Sequence, residues 1–409
     1  MVIMYIPRFL EKEITKYLEK KEIIAITGAR QCGKTTLLKH IYSNLAGANF
    51  IDFEDREKLE LFETDIDGFI ELYVRGARYL FIDEFQYAQQ GGKNLKYIFD
   101  SHQTKIFISG SSTSELSIHS IKYLVGRIFV FNLYPFSFLE YLSFREPDIF
   151  KKIYFNDKLS MPVSRKINKR LDEYLVYGGY PRVIVSEDEE EKQTVLKNIY
   201  NTYFLKEIKE ILGLRQDYKL SKLITALALQ TGNIINYNEL SSISGFKYKE
   251  LMDYLNILEK TFVTLTFKPF FTNRRVELVK APKIFFLDNG FRNIAIKNFQ
   301  PLVARTDHGT LRENFVASEI GKKENDLNFW RSKSKAEVDF IITRAGDHVP
   351  LEVKSKLTLP KATRSFTSFI DKYKPDHGYI ASEDLCENKK ISDTEVHWIP
   401  LYKVPAVLF

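Results

Sequence analysis

Cysteine is nearly absent, with only Cys32 and Cys386 in 409 residues. So few thiols exclude a disulfide framework, and the expectation is an intracellular, cytoplasmic chain. Long hydrophobic runs are missing as well. No apolar stretch approaches the roughly 18 residues a membrane helix needs, so no membrane partner is expected. The opening stretch MVIMYIPRFLEKEI passes quickly into a charged helical pattern and has no secretory apolar core. Repeats and low-complexity tracts are also lacking, which sets aside solenoids and disordered tails.

The composition that remains is globular, with 44% hydrophobic and 28% charged residues. A chain of 409 residues is long for one core, so more than one domain is expected. The net charge of +7 suits a nucleic-acid partner without requiring one. Tyrosine and phenylalanine, at 23 and 32, point to aromatic cores.

The most informative stretch is IIAITGARQCGKTTLLKHI, residues 23–41. An apolar run reads as a buried strand, a glycine-bracketed loop follows, and Leu37, Leu38 and Ile41 mark one face of a helix. The loop Gly28-Ala29-Arg30-Gln31-Cys32-Gly33-Lys34-Thr35, followed by Thr36, fits G-x-x-x-x-G-K-[ST] in its strand–loop–helix setting. Two glycines let the backbone turn its N–H groups toward a phosphate, and the helix N-terminus adds positive potential. Lys34 reaches for β- and γ-phosphates, and Thr35 is placed to ligate Mg²⁺, so ATP and Mg²⁺ are the expected cofactors. Roughly 50 residues on, YLFIDEFQ ends an apolar strand in Asp83-Glu84. Asp83 suits the Mg²⁺ shell and Glu84 suits polarising an attacking water. Gln86 reads equally as a γ-phosphate sensor or a surface residue. KIFISGSS ends a further strand in hydroxyls, so Ser109 or Ser111 is a candidate neighbour of the γ-phosphate, or the segment is a plain turn. Arg127, in GRIFVFNLYPFSF, reads either as a residue completing a neighbour's site or as an intrachain arginine.

Together GARQCGKTT, LFIDEFQ, ISGSS and GRIFVFNLYPFSF resemble prokaryotic AAA+ ATPases close to the archaeal and STAND branches. The resemblance implies an α/β fold class, a P-loop NTPase three-layer core with a helical lid. The core takes residues 1–150 and the lid 151–210. Arg127 resembles the finger of ring ATPases, which implies a homo-oligomer, a ring with a hexamer as one form. Gly179 and Pro181, in YGGYPR, resemble the element by which such a lid touches nucleotide; a simple interhelix turn is the other reading.

Residues 211–300 read as helix, helix, longer helix and hairpin, the order of a winged-helix domain. Lys247, Tyr248, Lys249, Arg274 and Arg275 are its candidate phosphate contacts. In residues 301–409, AEVDFIITRAGDHVPLEVKSK reads as a hairpin turning at Ala345-Gly346. A symmetric turn pairs Asp339 with Glu352, and cross-strand partners share a face. Strand alternation adds Lys354 to that face. Two close carboxylates suit a divalent cation, and a lysine beside them helps activate water. The D-x(12)-E-V-K pattern resembles the PD-(D/E)xK nucleases, with Glu313 matching the helix glutamate often found there and Val338 standing where that family often has proline. This implies a C-terminal restriction-endonuclease-like α/β domain. A solvated charged hairpin is the plainer alternative.

Two functions are expected from these residues. One is an ATP-hydrolysing protein that binds and remodels, translocates or processes DNA, with a metal-dependent nuclease module. The other is a STAND-like nucleotide-controlled switch acting through a protein partner.

Overall fold

The computed structural model describes residues 5–89, 91–110, 121–155, 159–202, 208, 213, 217–271, 275, 277, 280–324, 326–344 and 346–407. The chain forms two compact units, Met1–Phe136 with Lys260–Phe262, and Ser137–Glu259 with Val263–Phe409. The expected lid and C-terminal segments lie in the second, as does the winged-helix segment apart from Lys260–Phe262. No helix among the described residues is long and apolar enough to cross a membrane.

The first unit is built on β1 (Ile23–Gly28), β2 (Ala48–Asp52), β3 (Tyr79–Asp83), β4 (Lys105–Ser109) and β5 (Ile128–Leu133). They form a parallel sheet in the order β2-β3-β4-β1-β5. Such a sheet is covered on both faces, so its strands are apolar throughout rather than alternating. β1, β3 and β4 are buried along their whole length. Ile23 and Ala25 point into one core, with Leu95 and Ile98 of the helix Gly91–Ser101. Ile24 and Ile26 point into the other, with Leu37, Leu38 and Ile41 of the helix Lys34–Ser43. This is the three-layer α/β core expected from sequence.

The second unit begins with helices. Asp188 caps the helix Glu189–Ile199 by accepting from Glu191 N at 2.9 Å, so the acidic run there is a helix start. The helices Asp217–Leu229, Tyr237–Ser244 and Tyr248–Lys260 follow in the expected order. Then come β6 (Thr264–Pro269), β7 (Lys283–Phe286), β8 (Asn328–Arg331), β9 (Glu337–Arg344), β10 (Asp347–Val353), β11 (His377–Ser382), β12 (Glu387–Ile391) and β13 (Thr394–Pro400). They make one mixed sheet, β12-β13-β11-β10-β9-β8-β6-β7. The hairpin expected as a wing is therefore an edge of the C-terminal sheet, because β6 pairs with β8 through Lys268↔Asn328 and Pro269↔Phe329. The helix Arg364–Tyr373 packs Phe366, Phe369 and Ile370 against Trp330, Val338, Ile380 and Trp398.

Candidate functional site

The first candidate site lies where β1, β3 and β4 end together, since parallel register sets Ile26 beside Ser109 and Ile82 beside Ile108. In open α/β sheets, ligands bind at these carboxyl ends. A Cβ on Gly28 would lie 2.0 Å from the carbonyl oxygen of Leu133, so only glycine fits there. Gln31 (φ 60°) and Gly33 (φ 97°) take left-handed backbone, the conformation that gathers N–H groups into an anion-binding concavity. Ala29 is buried, while Arg30 and Gln31 are exposed. Lys34 is buried, and its ammonium donates to the Gly28 and Ala29 carbonyls at 3.1 and 3.0 Å, inside the loop. Thr35 and Thr36 lie in the first turn of the helix that begins at Lys34.

Cys32 packs beneath the loop, its thiol 2.7 Å from Ala29 O and 3.1 Å from Leu133 O. Burial pushes its pKa up, with Lys34 and Arg8 opposing, so it is a structural thiol rather than a reactive one. Arg8 braces the loop from outside the motif, donating to Cys32 O at 2.9 Å and Tyr134 O at 2.6 Å. Sequence reasoning missed it, because nothing near Arg8 marks its partners.

Asp83 ends β3 fully buried and accepts a hydrogen bond from the Ser109 hydroxyl. Glu84 follows in left-handed backbone (φ 53°), and its N–H lies 3.4 Å from Ser109 Oγ. Burial raises the Glu84 pKa, although a hydrogen bond from Gln86 opposes it. Gln86 Oε1 is buried without a hydrogen-bond partner among the described residues. A loop whose first position admits only glycine, a lysine within it, a buried aspartate and a glutamate of raised proton affinity fit a nucleotide with Mg²⁺.

Other expected residues are placed elsewhere. Arg127 precedes β5 at the opposite end of the sheet, since Ile128 pairs with Ile23 and the loop follows Gly28. It ion-pairs with Asp100 of its own chain at 3.0 Å. Ser111 and Arg274 lie outside the described residues. Gly179, in the second unit, donates its N–H to Asp288 at 2.7 Å, and Pro181 starts the short helix Pro181–Val185.

The second candidate site lies on the C-terminal sheet. The register Asp347↔Arg344 through Leu351↔Phe340 runs as a symmetric turn requires, and it ends one residue short of Asp339 and Glu352. Asp339 accepts from Val353 N at 2.8 Å. Glu352 is buried, ion-paired to Lys354 at 2.8 Å, and accepts from Thr363 at 2.9 and 3.0 Å. Glu313, on the helix His308–Gly321, lies 3.3 Å from Lys283 of β7, and Lys283 reaches Glu337 at 2.6 Å. Burial raises the carboxyl pKa of Glu313, to about 7, and also those of Asp339 and Glu352. Burial pulls Lys283 and Lys354 down, but the surrounding carboxylates outweigh it and both shift upward. Lys283, Glu337 and Thr363 were not legible in the sequence, because their partners lie far along the chain.

Four acids around two lysines leave negative charge in excess, and hard carboxylate oxygens suit Mg²⁺ or Mn²⁺. Three such oxygens do not converge here. Among the described residues, the one set of three metal-ligating side chains with donor atoms all within 4.8 Å lies on β11 and β13. Mg²⁺ is commonly held by one or two carboxylates plus substrate phosphate, so Asp339 and Glu352 still fit it.

Beside this face is a cleft of about 740 Å³ lined by Phe271, Trp330, Tyr373, Lys280, Lys333 and Lys372, among others. Its described lining holds no acid. Trp330 is a core residue, packed edge-on against Phe369 at 5.4 Å, so Phe271 and Tyr373 are its more open aromatics. Arg331, also in the lining, pairs with Glu337 at 3.6 Å, which links the cleft to Lys283 and Glu313.

Residues 20–142 match the family described as AAA domain. Residues 168–302 and 308–403 match two families described as domains of unknown function, DUF8612 and DUF4143. An uncharacterized protein of Haemophilus influenzae is 25% identical over 382 residues, which span 89% of this chain and 90% of the relative. Uncharacterized protein MJ1637 of Methanocaldococcus jannaschii is 24% identical over 407 residues, 92% of this chain and 84% of its own. Among solved structures, a Walker-type ATPase of Pyrococcus abyssi is similar at TM-score 0.44 and 16% identity, covering 71% of this chain and 96% of that one.

Proposed function

We propose that the AAA-type P-loop domain of residues 20–142 hydrolyses ATP to drive the binding and processing of DNA by the rest of the chain. In this reading the backbone of residues 28–35 cradles the β- and γ-phosphates, and Lys34 turns from the loop carbonyls to them. Thr35 and Asp83 would hold Mg²⁺, which would supply charge neutralisation at the phosphates. Glu84 orients a water and accepts its proton as the water oxygen bonds to the γ-phosphorus and the bond to the bridging oxygen of ADP breaks. Gln86 holds the Glu84 carboxylate, and its own Oε1 is left to accept from that water. The raised proton affinity of Glu84 supports the role of base.

The observation that carries the DNA half is the basic and aromatic cleft, whose described lining holds no acid, joined through Arg331, Glu337 and Lys283 to the face of Glu313, Asp339, Glu352 and Lys354. Basic side chains neutralise phosphates and aromatic rings stack bases, the combination used for single strands, and the half-buried Phe271 and Tyr373 are the rings available here. Asp339 and Glu352 would hold a divalent cation, which supplies charge stabilisation for phosphodiester cleavage; Lys354 orients Glu352 and the attacking water. Lys247, Tyr248 and Lys249 add a second set of phosphate contacts on the helical segment. The assembly is a homo-oligomer in which Arg127 exchanges Asp100 for a neighbour's nucleotide.

The test is ATP hydrolysis by the full chain with and without single-stranded, duplex and branched DNA, with cleavage products resolved from the same reactions. Stimulation by at least one DNA is expected. A chain that neither binds any of them nor changes its turnover overturns the DNA reading. Slow turnover with retained ADP and no DNA response points instead to a nucleotide-controlled switch with a protein partner.

A further inference from the structure

Parallel pairing of β11 with β13 sets His377 beside Glu395 and Tyr379 beside His397, and antiparallel pairing of β12 with β13 sets Asn388 beside His397. Strand alternation puts Glu395 and His397 on one face, away from the core residues Thr394, Val396 and Trp398. There His377 Nδ1 lies 3.1 Å from His397 Nε2 and 3.9 Å from the Glu395 carboxylate. The three donor atoms all lie within 4.8 Å of one another.

We propose that His377, Glu395 and His397 form a binding site for one transition-metal ion of the zinc class. At a metal–nitrogen bond of about 2.0–2.1 Å and a tetrahedral angle, two imidazole nitrogens stand about 3.3 Å apart. The pair here is already within a few tenths of an ångström of that bite. The support around it is of the kind metal sites use. Asn388 Oδ1 lies 3.0 Å from His397 Nδ1, so Nδ1–H donates to it and Nε2 keeps its lone pair toward the site. Tyr379 stacks on the His397 ring at 5.0 Å and 25°, which fixes the ring plane. Two imidazoles and one carboxylate favour Zn²⁺, Co²⁺ or Ni²⁺ over Mg²⁺ or Ca²⁺. All three ligands sit on a sheet, so little order is lost on binding. The fourth position faces solvent, which makes the ion exchangeable and open to a further ligand. The site is separate from both candidate sites above.

The experiment uses the full chain without a histidine tag, stripped by chelator. Zn²⁺ is titrated by calorimetry, and Co²⁺ by its visible absorption. One Zn²⁺ per chain is expected, with Mg²⁺ in excess failing to compete. Co²⁺ should give the intense bands of a tetrahedral site. His397→Ala and Glu395→Gln should each weaken binding at least about tenfold while melting like the metal-free wild type. Cys386→Ser should leave binding unchanged, since no thiolate is involved. Asn388→Ala, which alters no ligand, should weaken Zn²⁺ by a smaller factor and keeps the question answerable if a ligand variant misfolds. Equal binding by wild type and His397→Ala, or no uptake at 100-fold molar excess of Zn²⁺, overturns the site.

Discussion

Glu84 carries the sharpest demand on a single side chain in the first unit. A non-glycine residue at φ 53° is uncommon, and such backbone is held where the surroundings impose it, often at working sites. Glu84→Gln keeps the shape and removes the base. Nucleotide affinity should stay within a few-fold of wild type while turnover falls by at least about 100-fold. Fluorescent-nucleotide binding and steady-state hydrolysis separate the two; near-normal turnover would remove Glu84 from the mechanism. Lys34→Ala should instead abolish binding itself. In the second unit Lys283 carries the comparable burden, because it is buried against Glu313 and Glu337. Lys283→Met should lower unfolding free energy by about 3 kcal/mol, since it strands buried carboxylates, and chemical denaturation measures it. Lys34 and Glu84 were legible because motif spacing is local: loop, strand end and helix start are covalent neighbours. Lys283 was not, because its value comes from a partner 30 residues away across a tertiary contact.

Elements, rather than single residues, explain the glycine pair after the helix Met161–Tyr177. Gly178 has φ 75°, and a Cβ there would lie 2.2 Å from the Asp288 carboxylate. Asp288 is at once the N-cap of the helix Asn289–Ala295, through Phe291 N at 2.9 Å, and the acceptor of Gly179 N–H. One carboxylate therefore ties two helices, and the turn between Tyr177 and Pro181 is shaped to it. Gly178→Ala should cost about 2 kcal/mol or more by combining left-handed strain with the clash. A thermal melt of the full chain reads this, and an unchanged melt would show that the turn yields. The same scale shows why strands were easier to read than their partners. The β9–β10 register followed from turn symmetry alone, since a hairpin is local. The pairing of β6 with β8 did not, since 58 residues separate Pro269 from Asn328 and the hairpin's own residues match a wing equally well. Likewise, the apolar runs of β1 and β3 read as buried strands, while the two separate cores on the faces of their sheet appear only when helices are in place.

At the scale of the whole chain, opposite titrations bound the pH range of stability. Asp307 is held well below the usual carboxylate range by hydrogen bonds from Arg305, with Arg292 adding to them. Its contribution is present above the unfolded value near 3.8 and is lost as pH falls below it. Glu313 acts in the other sense. Burial, aided by Asp339 and opposed by Lys283, lifts it from 4.5 to about 7, so in that window the folded chain holds a proton that the unfolded chain has released. The folded state then binds more protons, and stability falls as pH rises. The contribution is full below 4.5 and gone above about 7, a swing of up to about 3 kcal/mol. Wild type should therefore lose melting temperature between pH 5 and pH 8 relative to Glu313→Gln, whose profile should be flatter. The same charge logic adds a metal dependence. Once Glu313 is ionised beside Asp339 and Glu352, the added negative charge is what a divalent cation neutralises. Millimolar Mg²⁺ without nucleotide should raise the melting temperature more at pH 8, where Glu313 is ionised, than at pH 5, where Glu313 holds a proton. Asp339→Asn should remove most of the Mg²⁺ effect. Parallel pH profiles for wild type and Glu313→Gln, with no Mg²⁺ response at pH 8, would mean that Lys283 and Lys354 alone balance the acids and that this face holds no cation.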